Sequence, residues 1–366
     1  MLAAVLPIEL QFRFRCRLRA PMPSFPALSD AVRNGASRHR PVMLAEVLAG
    51  LALRENDRVI DGTFGAGGYS AGILDTAPDI HVMAIDRDPN AIRDGAMLVD
   101  AARGRLKLVE GRFGDLASLA SDNGFMPADA IVLDIGVSSM QLDEAARGFS
   151  FRFDGPLDMR MSQTGRSAAD IVNEASEEEI ADILYHYGEE RASRRIARAI
   201  VHDRTATPFT TTKQLADLIG RIIPARPQDI HPATRSFQGL RIAVNDELGE
   251  LVKALAGAEE LLAAGGHLAV VSFHSLEDRI VKQFFALRSN RGRATSRLLP
   301  GEPVPPPSTF TLDGKQPVSA GADETKQNPR ARSARLRAGI RTDVPALGID
   351  PALASLASLP EHGKGR

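Results

Sequence analysis

The sequence holds no tryptophan, three tyrosines and one cysteine in 366 residues. A lone thiol, Cys16, cannot close an internal disulfide, and no Cys/His cluster offers a ligand set for structural zinc. A disulfide-stapled secreted scaffold is thereby excluded, no metal is expected, and the single thiol fits a reducing, cytoplasmic setting. No stretch approaches the ~20 consecutive apolar residues of a membrane-spanning helix. Few aromatic rings also mean few platforms for stacking many bases at once. The rest is ordinary globular composition, 43% hydrophobic and 25% charged, long enough for about two domains or one large domain carrying an insertion.

The net charge of −1 hides an asymmetry. Residues 1–40 carry seven arginines against two acids and residues 288–341 eleven basic residues against four acids, whereas 41–287 are acidic. Basic flanks on an acidic body point to a polyanionic partner such as nucleic acid, with solvated tails as the alternative. Residues 1–38 place their arginines after an apolar run, the reverse of a secretory signal, and read as a disordered basic extension. Residues 342–366 read as a disordered tail.

Apolar residues at helical spacing (Val42, Val47, Leu48, Leu51) predict a first helix. Short apolar runs then alternate with helical stretches, at 58–61, 80–86, 105–111 and 128–136. That alternation implies an α/β fold with a parallel, doubly wound sheet. The next run, 265–273, comes far beyond a usual crossover, so 143–240 is expected to be an inserted helical domain between core segments 39–142 and 241–341. Within it Ser176 is placed to cap one helix and Thr211 opens another that Pro224 ends. A helix over 189–204 would set Arg191, Arg195 and Arg198 on one face. A last strand is expected at 333–340.

The loop Asp61-Gly-Thr-Phe-Gly-Ala-Gly-Gly68 follows the first strand and precedes a helix. Glycines there let the chain turn tightly and a cofactor approach the backbone at the C-terminal edge of the sheet. Asp86 ends the next strand, where such folds place a carboxylate for a ribose diol. A nicotinamide fingerprint needs a third glycine at position 70, which is Ser70. An acid opening the loop suits S-adenosylmethionine better, because that ligand carries an ammonium and no pyrophosphate. Asp134 ends the fourth strand over the same crevice. It is placed either to accept hydrogen bonds from an exocyclic amine, whose delocalised lone pair must be drawn out of plane, or to cap the neighbouring helix. The usual Asp/Asn-Pro-Pro-aromatic form of that site is absent.

Eight blocks carry a resemblance: DGTFGAGG (61–68), AIDRDPNAI (84–92), LDIGVSS (133–139), RGFSFRFDGPLDMRM (147–161), YGEERASRRIARAIV (187–201), HPATRSFQGLRIAVNDEL (231–248), VSFHSLEDRIVKQFF (271–285) and NPRARSARLR (328–337). In this order they closely resemble the bacterial ribosomal small-subunit RNA methyltransferase H (MraW-type) family, over about 39–341. The resemblance implies a class I S-adenosylmethionine-dependent methyltransferase fold, Rossmann-like, with an inserted helical substrate-recognition domain. It implies methylation of cytosine N4 in the decoding region of 16S rRNA, with the 30S subunit as partner. Cofactor contacts implied by it fall on Gly67, Gly68, Tyr69, Asp86, Phe113, Asp134 and Gln141. The chain departs from the family at Tyr69, usually His, and at Met140, usually Pro. No catalytic base is assigned, because the methylated amine is acidic enough to lose its proton to water.

Other residues have competing readings. Arg235, Arg241 and Asn245 could face RNA or cofactor, or be satisfied structural groups, and His274 lies at a strand end near the crevice. The Arg191/Arg195/Arg198 face and the arginines of 288–297 and 330–341 are candidates for RNA phosphates. Two rival classes are a nicotinamide dehydrogenase, which fails at Ser70, and a non-catalytic RNA-binding or assembly factor, which would tolerate a damaged loop.

Overall fold

A computed structural model describes Leu28 and residues 41–224, 231–289 and 307–360. The expected extension at 1–38 (Leu28 apart) and Arg291, Arg293 and Arg297 lie outside the described residues. Eight strands form one sheet: β1 Arg58–Asp61, β2 His81–Asp86, β3 Leu106–Glu110, β4 Ala128–Asp134, β5 Leu262–Ser272, β6 Phe310–Thr311, β7 Val318–Ser319 and β8 Arg335–Arg341. Their order is β3-β2-β1-β4-β5-β8-β6, with β7 paired to β8. The first five are mutually parallel, and β8 runs antiparallel beside β5. From β1 the chain winds outward to β3, then returns to place β4 on the other side of β1. A crevice opens at such a switch point above the carboxyl ends of the strands, and ligands bind there.

The central strands are buried on both faces, which is why they read as near-continuous apolar runs. Ile60, Ile131, Leu133, Leu268 and Val270 pack on one side against helices Leu116–Asp122, Glu247–Leu261 and Ser275–Ser289. Val59, Val132, Ala269 and Val271 pack on the other with helices Leu44–Leu51 and Gly68–Leu74. Between β4 and Glu247 the chain is mostly helical and builds a third core from Phe149, Met159, Ile180, Ile196, Leu215 and Phe237. Helix Ala233–Asn245 crosses position 240: its Phe237 and Leu240 belong to that third core and its Ile242 to the core under the sheet. Among the described residues no helix is long and apolar enough to cross a membrane.

Three expectations are corrected. Helix Ser193–Asp203 starts later than 189, so Arg191 sits in the preceding turn and shares no helical face with Arg195 and Arg198. The segment 342–360 is not a loose tail. Helix Pro351–Ala357 buries Leu353 and Ala357 in the sheet core, and Tyr187 donates to the Ala357 carbonyl at 2.8 Å. Finally, Arg288, Arg337 and Arg341 are buried, which removes them as phosphate ligands. Arg337 pairs with Asp278 at 2.8 Å, and Arg341 donates to the carbonyls of Glu259, Thr309 and Thr342.

Glu259 joins the last two through Arg288 and Arg341. This fully buried carboxylate lies 2.8 Å from Arg288, accepts from the Thr309 hydroxyl, and accepts from the Leu347 amide at 3.2 Å. Arg288 also donates to the Gly348 carbonyl at 2.5 Å. Removing one partner of a buried ion pair leaves the other charged and unmatched. Glu259→Ala should therefore lose about 3–5 kcal/mol in denaturant unfolding, and residues 342–360 should become the first protease-sensitive segment. A variant as stable as wild type would refute the clamp.

Candidate functional site

A cavity of ≈ 350 Å³ opens at the switch point. Its floor is the loop 61–68, whose shape follows from three anchors to neighbouring strands. Gly62 N–H donates to the Val132 carbonyl at 3.0 Å, Phe64 N–H donates to the Ile85 carbonyl at 2.9 Å, and Asp134 N–H donates to the Thr63 hydroxyl at 2.7 Å. Asp61 closes the loop on itself, accepting from Thr63 N–H at 3.1 Å and the Ser70 hydroxyl at 2.7 Å. Its carboxylate is fully buried and turned into the loop, so it is a brace rather than a ligand contact. Burial raises its pKa against those hydrogen bonds.

Gly67 holds φ at +77°, in the left-handed region, and a side chain there would meet Phe64 and Leu98. At Gly68 a Cβ would lie 2.5 Å from the Pro41 ring. Both positions need bare backbone. Tyr69 lines the cavity with its ring, but its hydroxyl donates to the Val42 carbonyl, and burial raises the phenol well above 10. The side chain is committed to holding the 41–43 segment over the loop. Met43 N–H adds to that strap by donating to Glu324 at 2.7 Å.

Asp86 is largely enclosed at the end of β2. One oxygen accepts from Gly65 N–H at 2.7 Å and the other from Asp88 N–H at 2.8 Å. Burial is the main reason that its pKa is pushed up to about 6, and those two donors moderate the rise. Each oxygen keeps one lone pair for a ligand. Phe113, in the turn after β3, adds an apolar wall.

Asp134 differs from both. Its Oδ1 is buried without a hydrogen-bond partner among the described residues. Burial, then the charges of Asp61 and Glu277, raises its pKa well above the usual carboxylate range. Asp134 lines the cavity, and a buried carboxyl oxygen left without a partner is an arrangement that a bound donor completes.

Gln141 lines the cavity, and each end of its amide makes one hydrogen bond within the protein. Nε2 donates to Asp88 at 2.8 Å and Oε1 accepts from Ser138 N–H at 3.1 Å. It forms a capping box with Ser138 on helix Ser139–Asp143, whose Met140 also lines the cavity. The sequence reading missed Asp88, the residue on which these groups converge. Asp88 caps helix Pro89–Asp94, holds Gln141, and pairs with buried Arg147 at 2.7 Å. Arg147 in turn donates to the carbonyls of Arg160 and Met161 at 3.0 Å. The Asp88-Pro-Asn cap signature was the available signal.

Asn245 accepts from Met161 N–H at 2.9 Å and donates to the Met159 carbonyl at 2.8 Å, so it fixes the same segment. Arg241 reaches the cavity but is held by both oxygens of Glu247 at 2.8 Å. These two are structural. His274 does not line the cavity. Its Nε2 lies 3.0 Å from Glu277, whose other oxygen accepts from Phe273 N–H at 2.7 Å and His274 N–H at 3.2 Å. Glu247, His274 and Glu277 bring one potential metal-ligand atom each within 4.8 Å of one another. The Arg241 guanidinium already neutralises Glu247 there. The opposite wall is Asn328, Arg330 and Ser333, supplied by the chain just before β8.

The family model described as the MraW methylase family matches residues 36–341. The protein named ribosomal RNA small subunit methyltransferase H from Methylocella silvestris is 63% identical over 334 residues, 91% of this chain and 96% of that one. Proteins of the same name are 61% identical in Methylorubrum populi (93% of this chain, 97% of that one) and 60% identical in Beijerinckia indica (91% and 94%). By these matches the chain belongs to the MraW methylase family and is an S-adenosylmethionine-dependent methyltransferase.

Proposed function

We propose that this chain methylates N4 of a cytidine in the decoding region of 16S rRNA, within the 30S subunit. The orphaned Oδ1 of Asp134, a residue that lines the cavity, carries the proposal, because an acceptor without a partner is completed by a donor such as an amine. S-adenosylmethionine supplies an electrophilic methyl group when bound. Asp86 accepts the ribose hydroxyls through its two remaining lone pairs, Gly67 and Gly68 shape the loop beneath the cofactor by packing bare backbone on Phe64 and Pro41, and Phe113 covers the adenine. Tyr69 and Gln141 contribute walls, since their polar atoms are engaged elsewhere. Asp134 draws the amine hydrogens out of the base plane and so localises the nitrogen lone pair. The target base must leave its stack to reach this depth.

Asp86→Ala should weaken S-adenosylmethionine binding by about 2–4 kcal/mol in calorimetric titration, the value of two charge-assisted hydrogen bonds. In wild type, the carboxylate that accepts both hydroxyls is lost as pH falls through about 6. Affinity should therefore be full above that pH and decline below it. Unchanged affinity in a folded Asp86→Ala protein would remove Asp86 from the site.

Asp134→Ala should lower kcat on 30S subunits on the order of a hundredfold, and Asp134→Asn, which keeps a carbonyl acceptor, should lose less. Mass spectrometry of 16S rRNA nucleosides from a deletion strain tests the substrate. Persistence of N4-methylcytidine at its wild-type level would show that another enzyme makes it.

A further inference from the structure

The segment that follows helix Glu177–Asp182 is a π-helical turn, Ile183–Tyr187, closed by Gly188 N–H donating to the Ile183 carbonyl. Such turns widen a helix by one residue and re-aim its side chains. Here Ile183 and Leu184 go into the insert core while Tyr185 remains 55% exposed. The backbone cannot relax to hide that ring. Gly188 lies so close to helix Ala233–Asn245 that a Cβ on it would sit 2.5 Å from the Arg235 carbonyl, and Tyr187 is anchored to Ala357.

Tyr185 borders a concavity of ≈ 550 Å³ with His186, Asp182, Arg191, Arg194 and Arg195. His186 stands edge-on to the tyrosine ring at 5.0 Å. All three arginines are exposed, and among the described residues none has an acid within ion-pairing distance. Nearby Arg198 instead pairs with Glu177, and Arg204 donates to the carbonyls of Val172 and Ala175. Three guanidinium groups within five residues repel one another, and a row of phosphates relieves that repulsion. A rigid ring standing beside them suits an unpaired base, which has a free face to stack, rather than a duplex.

The patch also begins at the edge where the cavity opens. Glu189 accepts from the Ser275 hydroxyl at 2.6 Å and lies 3.5 Å from Arg279. Ser275 starts the helix after β5, just past Phe273 of the cavity wall. Arg191 follows Glu189 by two residues, at most about 7 Å of chain.

We propose that Tyr185, Arg191, Arg194 and Arg195 form a second RNA-binding subsite that stacks an unpaired base and holds its phosphates beside the catalytic cavity. The proposal rests on the reading of the chain as an RNA methyltransferase. Its test is fluorescence anisotropy with a short labelled single strand of oligocytidylate, competed by unlabelled single strand, A-form duplex RNA or polyglutamate. Tyr185→Ala should weaken strand binding about tenfold, while Tyr185→Phe, which keeps the ring, should bind as wild type does. Arg194→Glu with Arg195→Glu should weaken binding at least tenfold and reduce the log–log salt slope by about 0.7 per lost phosphate contact. Cofactor affinity, unchanged throughout, reports that each variant is folded. Wild-type strand binding by Tyr185→Ala, or displacement of the strand by duplex or polyglutamate as readily as by unlabelled strand, would overturn the subsite. Methyl transfer to 30S subunits by wild type is measured alongside. If it persists while the variants bind normally, the subsite falls and the methyltransferase reading stands; if wild type transfers no methyl to rRNA, that reading itself falls.

Discussion

Burying a carboxylate costs several kcal/mol unless hydrogen bonds or charges offset it, and the C-terminal edge of this sheet encloses three. Asp61 is offset within its own loop by Thr63 and Ser70. Asp86 is offset in part by two backbone amides and retains acceptor capacity. Asp134 donates its backbone amide to Thr63, and its Oδ1 is buried without a partner among the described residues. The gradient from closed to open runs across the floor of one cavity. It divides the acids into a brace, a carboxylate with acceptor capacity left over, and one whose Oδ1 has no partner among the described residues.

The same edge joins the inserted helices to the sheet. Asp88 lies two residues beyond Asp86, and its pairing with Arg147 passes through the carbonyls of Arg160 and Met161 to Asn245. Arg87 donates to the Asn245 carbonyl at 2.8 Å and closes the ring. A network of buried polar groups bonded to one another resists distortion because breaking one bond strands its partner. The inserted helices are thereby tied to the sheet edge beside the cavity by buried hydrogen bonds.

Arginine shows how burial separates roles within one residue type. Arg147, Arg288, Arg337 and Arg341 are buried and paired, or donate to carbonyls, and act as cross-braces. Arg191, Arg194 and Arg195 are exposed and line a surface concavity. A guanidinium has five donors in a fixed fork, so it serves equally well as an internal clamp or as a phosphate ligand. Its surroundings decide which.

The parallel strands and the glycine loop were legible in the sequence because they rest on local rules. Central strands must be apolar on both faces, and a tight turn over a ligand needs residues without Cβ. Asp86 and Asp134 were legible for the same reason, as acids that end such strands. The partners of Gln141 and Tyr69 were not, because Asp88 and Val42 are distant in sequence and only the packed chain brings them together. Nor was the docking of 342–360, which depends on Glu259 meeting Arg288 and Leu347 across helices and loops. Sequence determined which groups stand at the edge of the sheet. Tertiary structure decided which of them still have a hydrogen bond to give or accept, since that depends on neighbours supplied by remote segments.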